Sequence, residues 1–243
     1  MCQQGICNEE ILKEMIYEKE YECPLCKTRF KQKAVKSSKN KLLDIDFDLN
    51  ARYEKVNPLY YEVVVCEVCG FAQLNKRSEM PTLAEASLLK EKIAANFLGR
   101  KYSTYYTAQE AIDRYKLALL NAIVRNATEG EKAYIALKLA WVYGEIGDSE
   151  EEKRFLGEAL KSFLNAYQRE GFPIFELQEE VVAYLIAALS YQLENYKQAI
   201  KWIQMVLKNP NTSPKLKDRC FSLKAMVSEK EKELKQLEEQ NKL

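Results

Sequence analysis

LYYEVVVCEVCG, from Leu59 to Gly70, decides the fold. Its first half concentrates β-branched and aromatic side chains, the composition of a strand. Its second half holds a C-x-x-C pair, Cys66 and Cys69, followed by a glycine that suits the tight backbone of such a turn. Earlier in the chain, YECPLCKTRF (Tyr21–Phe30) carries a second pair, Cys23 and Cys26. A two-residue spacer lets the chain double back, so each pair aims two sulfurs at one point. Two pairs supply the four ligands of a tetrahedral ion and leave no open position, the pattern of a structural zinc site. The pairs are 39 residues apart, more than the roughly 15–20 of the commonest spacing, and a strand pair can fill the gap. An iron–sulfur cluster can use the same four thiolates, and the sequence alone leaves that alternative open. A thioredoxin-like redox pair needs a βαβ context that is missing.

The absence of histidine narrows the chemistry further. The common general base is missing, Ser-His and Cys-His catalysis are excluded, and a zinc site must be built from thiolates. No P-loop, dinucleotide fingerprint or nucleophile elbow occurs, and eight glycines in 243 residues leave little for a phosphate-cradling loop. The sequence therefore reads as non-enzymatic, with no evident small-molecule substrate. Lys plus Arg is 37 and Asp plus Glu is 36, so the chain is not generally basic. No apolar run reaches the roughly 18 residues of a membrane span. The first residues show no secretion-signal pattern, and the expected setting is the cytoplasm, where paired cysteines bind metal before they form disulfides.

Composition changes near Met80-Pro81. Residues 1–80 hold six of the seven cysteines. DIDFDLN (Asp44–Asn50) alternates acid with apolar side chains and predicts a strand, and VNPLY (Val56–Tyr60) predicts a turn at its proline. Residues 81–243 carry apolar side chains at helical spacing: Leu89, Ile93, Phe97; Ile112, Tyr115, Leu119, Ile123; Tyr134, Leu137, Trp141, Ile146; Phe155, Leu156, Leu160, Phe163; Val182, Ile186, Leu189; Ile200, Ile203, Leu207. Gly147-Asp148 and Glu194-Asn195 predict turns, and Pro214 a last helix. AIDRYKLAL at Ala111, EKRFLGEAL at Glu152 and AIKWIQMVL at Ala199 resemble second helices of tetratricopeptide repeats, and LAWVYGEIGD at Leu139 a first helix and its turn. Their spacings of 41 and 47 residues exceed that family's usual period, and Glu152 replaces a small residue. The expected fold is α+β: a small β-rich zinc-ribbon module at 1–80, then an all-α tetratricopeptide-like region at 81–243 with a charged, solvated C-terminal helix. Cys220 reads as a core residue, and Cys2 and Cys7 as spare thiols in a loose terminus.

KTRFKQKAVKSSKNK (Lys27–Lys41) carries seven cations and no acid. Lys27, Arg29, Lys31, Lys33 and Lys36 could contact phosphates of a nucleic acid, with Phe30 stacking. The plainer reading is a solvated face whose cations offset the thiolate charge and pair with Asp44, Asp46 and Asp48 across strands. Those acids do not form a calcium loop, because Leu49 and Lys55 stand where it needs Gly and Glu.

YECPLCKTRF, then DFDLNARYEKVNPLYYEVVVCEVCGFA, resembles the uncharacterised bacterial family called domain of unknown function 2225. The shared residues are Cys23, Pro24, Cys26, Phe30, Tyr53, Asn57, Pro58, Tyr60, Cys66, Cys69 and Gly70. The resemblance implies a four-cysteine ribbon, a tetratricopeptide-like C-terminal region and a bacterial cytoplasmic setting, and it assigns no activity. Asn57-Pro58 is expected to shape a turn, with the tyrosines packed beside the metal. The expected function is a protein-interaction scaffold, with Tyr102, Tyr105, Tyr106 and Tyr143 exposed on first helices to meet a protein or peptide partner. Nucleic-acid binding through Lys27–Lys41 is the alternative.

Overall fold

Cys-x-x-Cys turns and short β-branched runs build hairpins, and the first half of the chain consists of three. The computed structural model describes residues 9–77 and 80–240, apart from the side chain of residue 238. Cys2 and Cys7 lie outside the described residues. A short helix, α1 (Glu9–Met15), leads into β1 (Ile16–Glu22), which pairs with β2 (Arg29–Val35). β3 (Leu42–Ile45) pairs with β4 (Ala51–Tyr53), and β5 (Val63–Val65) with β6 (Ala72–Leu74). All three pairs are antiparallel, and none joins another into a larger sheet. The cysteine pairs occupy the turns of the first and third hairpins.

Of the strand expected over Asp44–Asn50 only Asp44 and Ile45 are extended, in β3, and Asp46–Asn50 is the tip of the middle hairpin. Asp46 N–H donates to Asn50 C=O at 2.8 Å and Leu49 N–H to Asp46 C=O at 3.0 Å, while the Asp48 carboxylate accepts from Asn50 N–H at 3.1 Å. Aspartate side chains compete in this way with ladder bonds and favour turns. Leu49 closes the turn at φ +70°, a left-handed conformation that strains a residue with a Cβ. Asn57-Pro58 does make a turn: Pro58–Tyr61 is one turn of 3-10 helix, and the Asn57 side chain accepts from Leu59 N–H at 3.0 Å.

The second half is helical: α2 (Leu83–Lys92), α3 (Ala108–Val124), α4 (Glu129–Glu145), α5 (Ser149–Arg169), α6 (Glu179–Gln192), α7 (Tyr196–Lys208) and α8 (Pro214–Gln240). Capping boxes Thr82/Glu85 and Thr107/Glu110 start α2 and α3, and Thr128, Asp148 and Asn195 cap α4, α5 and α7. Three helix ends share one geometry. Ala127 N–H reaches Ala122 C=O at 2.8 Å, Asp148 N–H reaches Tyr143 C=O at 3.1 Å and Asn195 N–H reaches Ser190 C=O at 2.8 Å. The residue before each donor (Asn126, Gly147, Glu194) is left-handed. Gly147 and Glu194 are 47 residues apart, so the interval between the last two resembling segments is also the interval between two identical turns.

α4 and α6 are buried nearly all round, whereas α5 and α7 bury one stripe each. Such a pattern places α4 and α6 between two layers. α5 and α7 form one layer. The other layer is the strand half of the chain, because Leu59, Val63, Val65, Ala72 and Leu74 share one apolar cluster with α3, α4 and α6. The change at Met80 is therefore one of secondary structure, and the core runs across it. Cys220 lies buried in the same cluster. Beyond Val227, α8 is mostly exposed, Leu234 and Leu237 included.

Candidate metal centre

The two cysteine turns are built alike. Cys23 N–H donates to Thr28 C=O and Lys27 N–H to Cys23 C=O, both at 2.9 Å. Cys66 N–H donates to Phe71 C=O at 2.8 Å and Gly70 N–H to Cys66 C=O at 2.9 Å. The residue after each second cysteine is left-handed: Lys27 at φ +63° and Gly70 at φ +71°. Gly70 is needed for a second reason, since a Cβ there would stand 2.6 Å from the Phe97 ring.

These turns bring the four sulfurs together. Cys23 and Cys69 lie 3.6 Å apart, as do Cys26 and Cys66, and all four sulfurs fall within 4.8 Å of one another. A tetrahedron with metal–sulfur bonds of about 2.3 Å has edges of about 3.8 Å. The donor set thus fits one ion, and it is tighter than a cluster of several irons would hold its ligands. Cys23, Cys66 and Cys69 are buried, while Cys26 faces solvent. The bond to the Cys69 thiol and the backbone amides around it hold the Cys23 thiol down to about 5. Burial pushes Cys66 up to about 11, and bonding to Cys23 pushes Cys69 up as well. Four thiols this close shed all their protons only when a cation replaces them.

Apolar packing, two amides and a guanidinium fix the pocket. Leu25 and Phe71 beside the cysteines pack on Leu89 and Ile93 of the α2 region. Gln32 of β2 bonds Val65 on both sides, Nε2 to its C=O at 2.7 Å and Oε1 from its N–H at 3.2 Å, so its amide joins the two cysteine hairpins. Asn121 of α3 donates to Gly70 C=O at 3.0 Å. Arg114, two turns earlier on α3 and fully buried, donates to Gln32 Oε1 at 2.8 Å and to Val63 C=O. Its guanidinium lies 3.9 Å from the Tyr106 ring centroid and 4.9 Å from that of Tyr102, a cation held between aromatic faces. Sequence reasoning missed Gln32, Arg114 and Asn121. The available signals were a glutamine on the inward face of a basic strand and two polar residues seven apart on the apolar face of α3.

The basic stretch is matched with acid. Arg29, Lys31 and Lys33 stand directly opposite Glu22, Glu20 and Glu18. Glu18 takes Lys33 at 2.7 Å and Lys31 at 3.4 Å, and Glu22 takes Arg29 at 3.7 Å. Lys36 bonds Glu14 C=O at 2.9 Å and Lys39 its carboxylate at 3.3 Å. Lys27 is the exposed left-handed residue of the first cysteine turn. The expected pairing with Asp44, Asp46 and Asp48 does not occur. β1 supplies the acids instead, because the period-two pattern IYEKEYE puts its glutamates on the face of β2 that carries the cations. Tyr53 and Tyr60 are not beside the cysteines either. Tyr53 pairs with Leu42, and Tyr60 donates to Glu145 of α4 at 2.7 Å, where Asn57 also bonds.

The tyrosines expected on an exposed face are placed otherwise. Tyr102, Tyr105 and Tyr106 precede α3 rather than lying on a helix. Tyr106 is 7% exposed and stacks on Tyr61; Tyr143 is 4% exposed and stacks on Phe155 of α5. Tyr102 and Tyr105 are half-buried. The aromatic rings were drawn inward by the core of α3–α5 and by Arg114.

Fold and site together define a class: an α+β chain whose paired cysteine hairpins, with four thiols converging on one point, are seated on an array of helices. The chain belongs to the family described as "Uncharacterized protein conserved in bacteria (DUF2225)", which matches residues 16–227. Comparison with curated proteins and with solved structures returns no match. Among the described residues, no helix is long and apolar enough to cross a membrane.

Proposed function

We propose that this protein is a non-enzymatic, cytoplasmic scaffold that binds another protein through its tetratricopeptide-like helices, and that a structural zinc ion locks its strand half onto them. The observation that carries this reading is the closed, largely buried four-sulfur set packed against Leu89 and Ile93. A site with four thiolate ligands keeps no position for a reactive water, so its ion contributes folding energy. Arg114 and Asn121 transmit that constraint to α3, the helix that begins the array. Nucleic-acid binding loses its main support, since Arg29, Lys31 and Lys33 each face a glutamate.

Two measurements test the reading. Elemental analysis of protein purified without added metal should return one zinc per chain, and less than about a tenth of an equivalent refutes the zinc. Cross-linking in cells, followed by capture of the intact chain under reducing conditions, should recover a protein partner that a Cys66→Ser chain fails to hold. Recovery of nucleic acid in its place, or of no partner, refutes the scaffold.

A further inference from the structure

The middle hairpin, β3–β4, belongs to no larger sheet. A two-stranded hairpin alone is marginal in water, so its hold on the protein comes from its tip. The tip residues meet three helices, α4, α6 and α8. Asp48 accepts from Trp141 Nε1 of α4 at 2.7 Å and from Gln192 of α6 at 3.4 Å. The Phe47 ring sits edge-on to Tyr191 at 5.6 Å, and its C=O accepts from Tyr184 Oη at 2.5 Å. Arg219 of α8 donates to Ile45 C=O at 3.2 Å and Asp46 C=O at 3.0 Å. α4, α6 and α8 therefore present one face, and a segment of this same chain fills it.

The filling is imperfect. A cavity of about 160 Å³ remains between the hairpin, the Asn57–Glu62 turn and α4. Gln192 Oε1 is buried without a hydrogen-bond partner. Leu49 is held left-handed. Much of the recognition goes to main-chain carbonyls, which any chain in the same turn would offer. We propose that the face shared by α4, α6 and α8 is a recognition surface for an aromatic–acid turn on a partner protein, and that the β3–β4 hairpin occupies it in cis until the partner replaces it. The inference rests on the scaffold reading and names its surface and the chemistry of its partner. Arg219 holds the two carbonyls ahead of the aromatic, Tyr191 is the aromatic subsite, and Trp141 with Gln192 is the carboxylate subsite, while the Asp46 carboxylate is taken by Arg52 of the hairpin itself.

The probe is a fluorescein-labelled cyclic peptide of residues 42–53, LLDIDFDLNARY, read by anisotropy. One variant replaces residues 46–50 by Asn-Gly, which closes the same strands with a shorter turn. A second keeps the hairpin and removes two anchors, Tyr184→Phe with Arg219→Ala. The first variant should bind the peptide at least about tenfold more tightly than the parent, because the competing cis occupant is gone. A peptide carrying Phe47→Ala should lose at least that factor. In the unaltered protein, amides 46 and 49 should exchange with deuterium about a hundredfold faster than those of α4, the mark of a segment that opens by itself. Equal peptide binding by parent and first variant overturns the proposal. So does hairpin exchange that occurs only together with α4, which settles the matter even if both variants misfold. A partner that the intact chain captures and the peptide fails to displace also overturns it, and leaves the scaffold reading standing.

Discussion

Gly70→Ala, set against Lys27→Gly, tests the metal centre through two turns of the same design. Both residues are left-handed, at φ +71° and +63°. A Cβ in that conformation costs about 1 kcal/mol. At Gly70 the new methyl would also stand 2.6 Å from Phe97, an overlap that adds about 1–3 kcal/mol as the ring is displaced. Gly70→Ala should therefore destabilise the protein by about 2–4 kcal/mol, roughly 5–12 °C in Tm for a chain of this size. Because ion binding and folding of the hairpins are linked, affinity should fall by roughly 30- to 1000-fold, read by competition with a chromogenic chelator. Lys27→Gly relieves strain and loosens the unfolded chain, so it should lie between about 0 and 1 kcal/mol more stable than the parent. Phe97→Leu combined with Gly70→Ala should recover the steric part but not the conformational part. A Gly70→Ala protein that melts within about 1 °C of the parent and holds its ion as tightly would refute both the shared turn and the role of Phe97.

Glu194 takes the place in its turn that Gly147 takes 47 residues earlier, so Glu194→Gly should stabilise by about 1 kcal/mol, seen as a Tm rise of about 2–4 °C. Glu131 of α4 bonds both Arg125 and Arg77 with almost no exposure, so Glu131→Ala should cost about 3–5 kcal/mol in urea unfolding. Burial raises the Asp48 carboxyl above its ordinary value, against the pull of its donors Asn50 and Trp141, with Asp46 and Glu152 nearby. A raised carboxyl binds more protons folded than unfolded, so stability falls as pH rises through its folded value. Asp48→Asn should consequently gain on the parent near neutral pH and lose that advantage below about pH 4, in denaturant midpoints taken across pH.

Local features were legible in the sequence, and long-range ones were not. The cysteine pairs, the turns at Asn57-Pro58, Gly147-Asp148 and Glu194-Asn195 and the start of α8 at Pro214 each rest on residues a few positions apart. The α+β order follows from the same signals. Gln32 meets Val65 across 33 residues, Arg114 meets Gln32 across 82 and Asp48 meets Trp141 across 93. No periodicity carries such pairings. Alternation in DIDFDLN suggested a strand because Phe47 and Leu49 do face the core, yet they reach it from a turn docked on helices. The tyrosines misled for a related reason. Their polar tips fit an exposed surface, but Arg114, buried without exposure, collects Tyr102 and Tyr106 around itself.

Three of the four sulfurs are walled in, and Cys26 alone looks outward. An ion taken up by the set would meet that thiol before the three buried ones. Oxidants meet it first too, since exposed thiolates react ahead of sheltered ones. Cys26 is thus the one thiol of the four that solvent reaches directly.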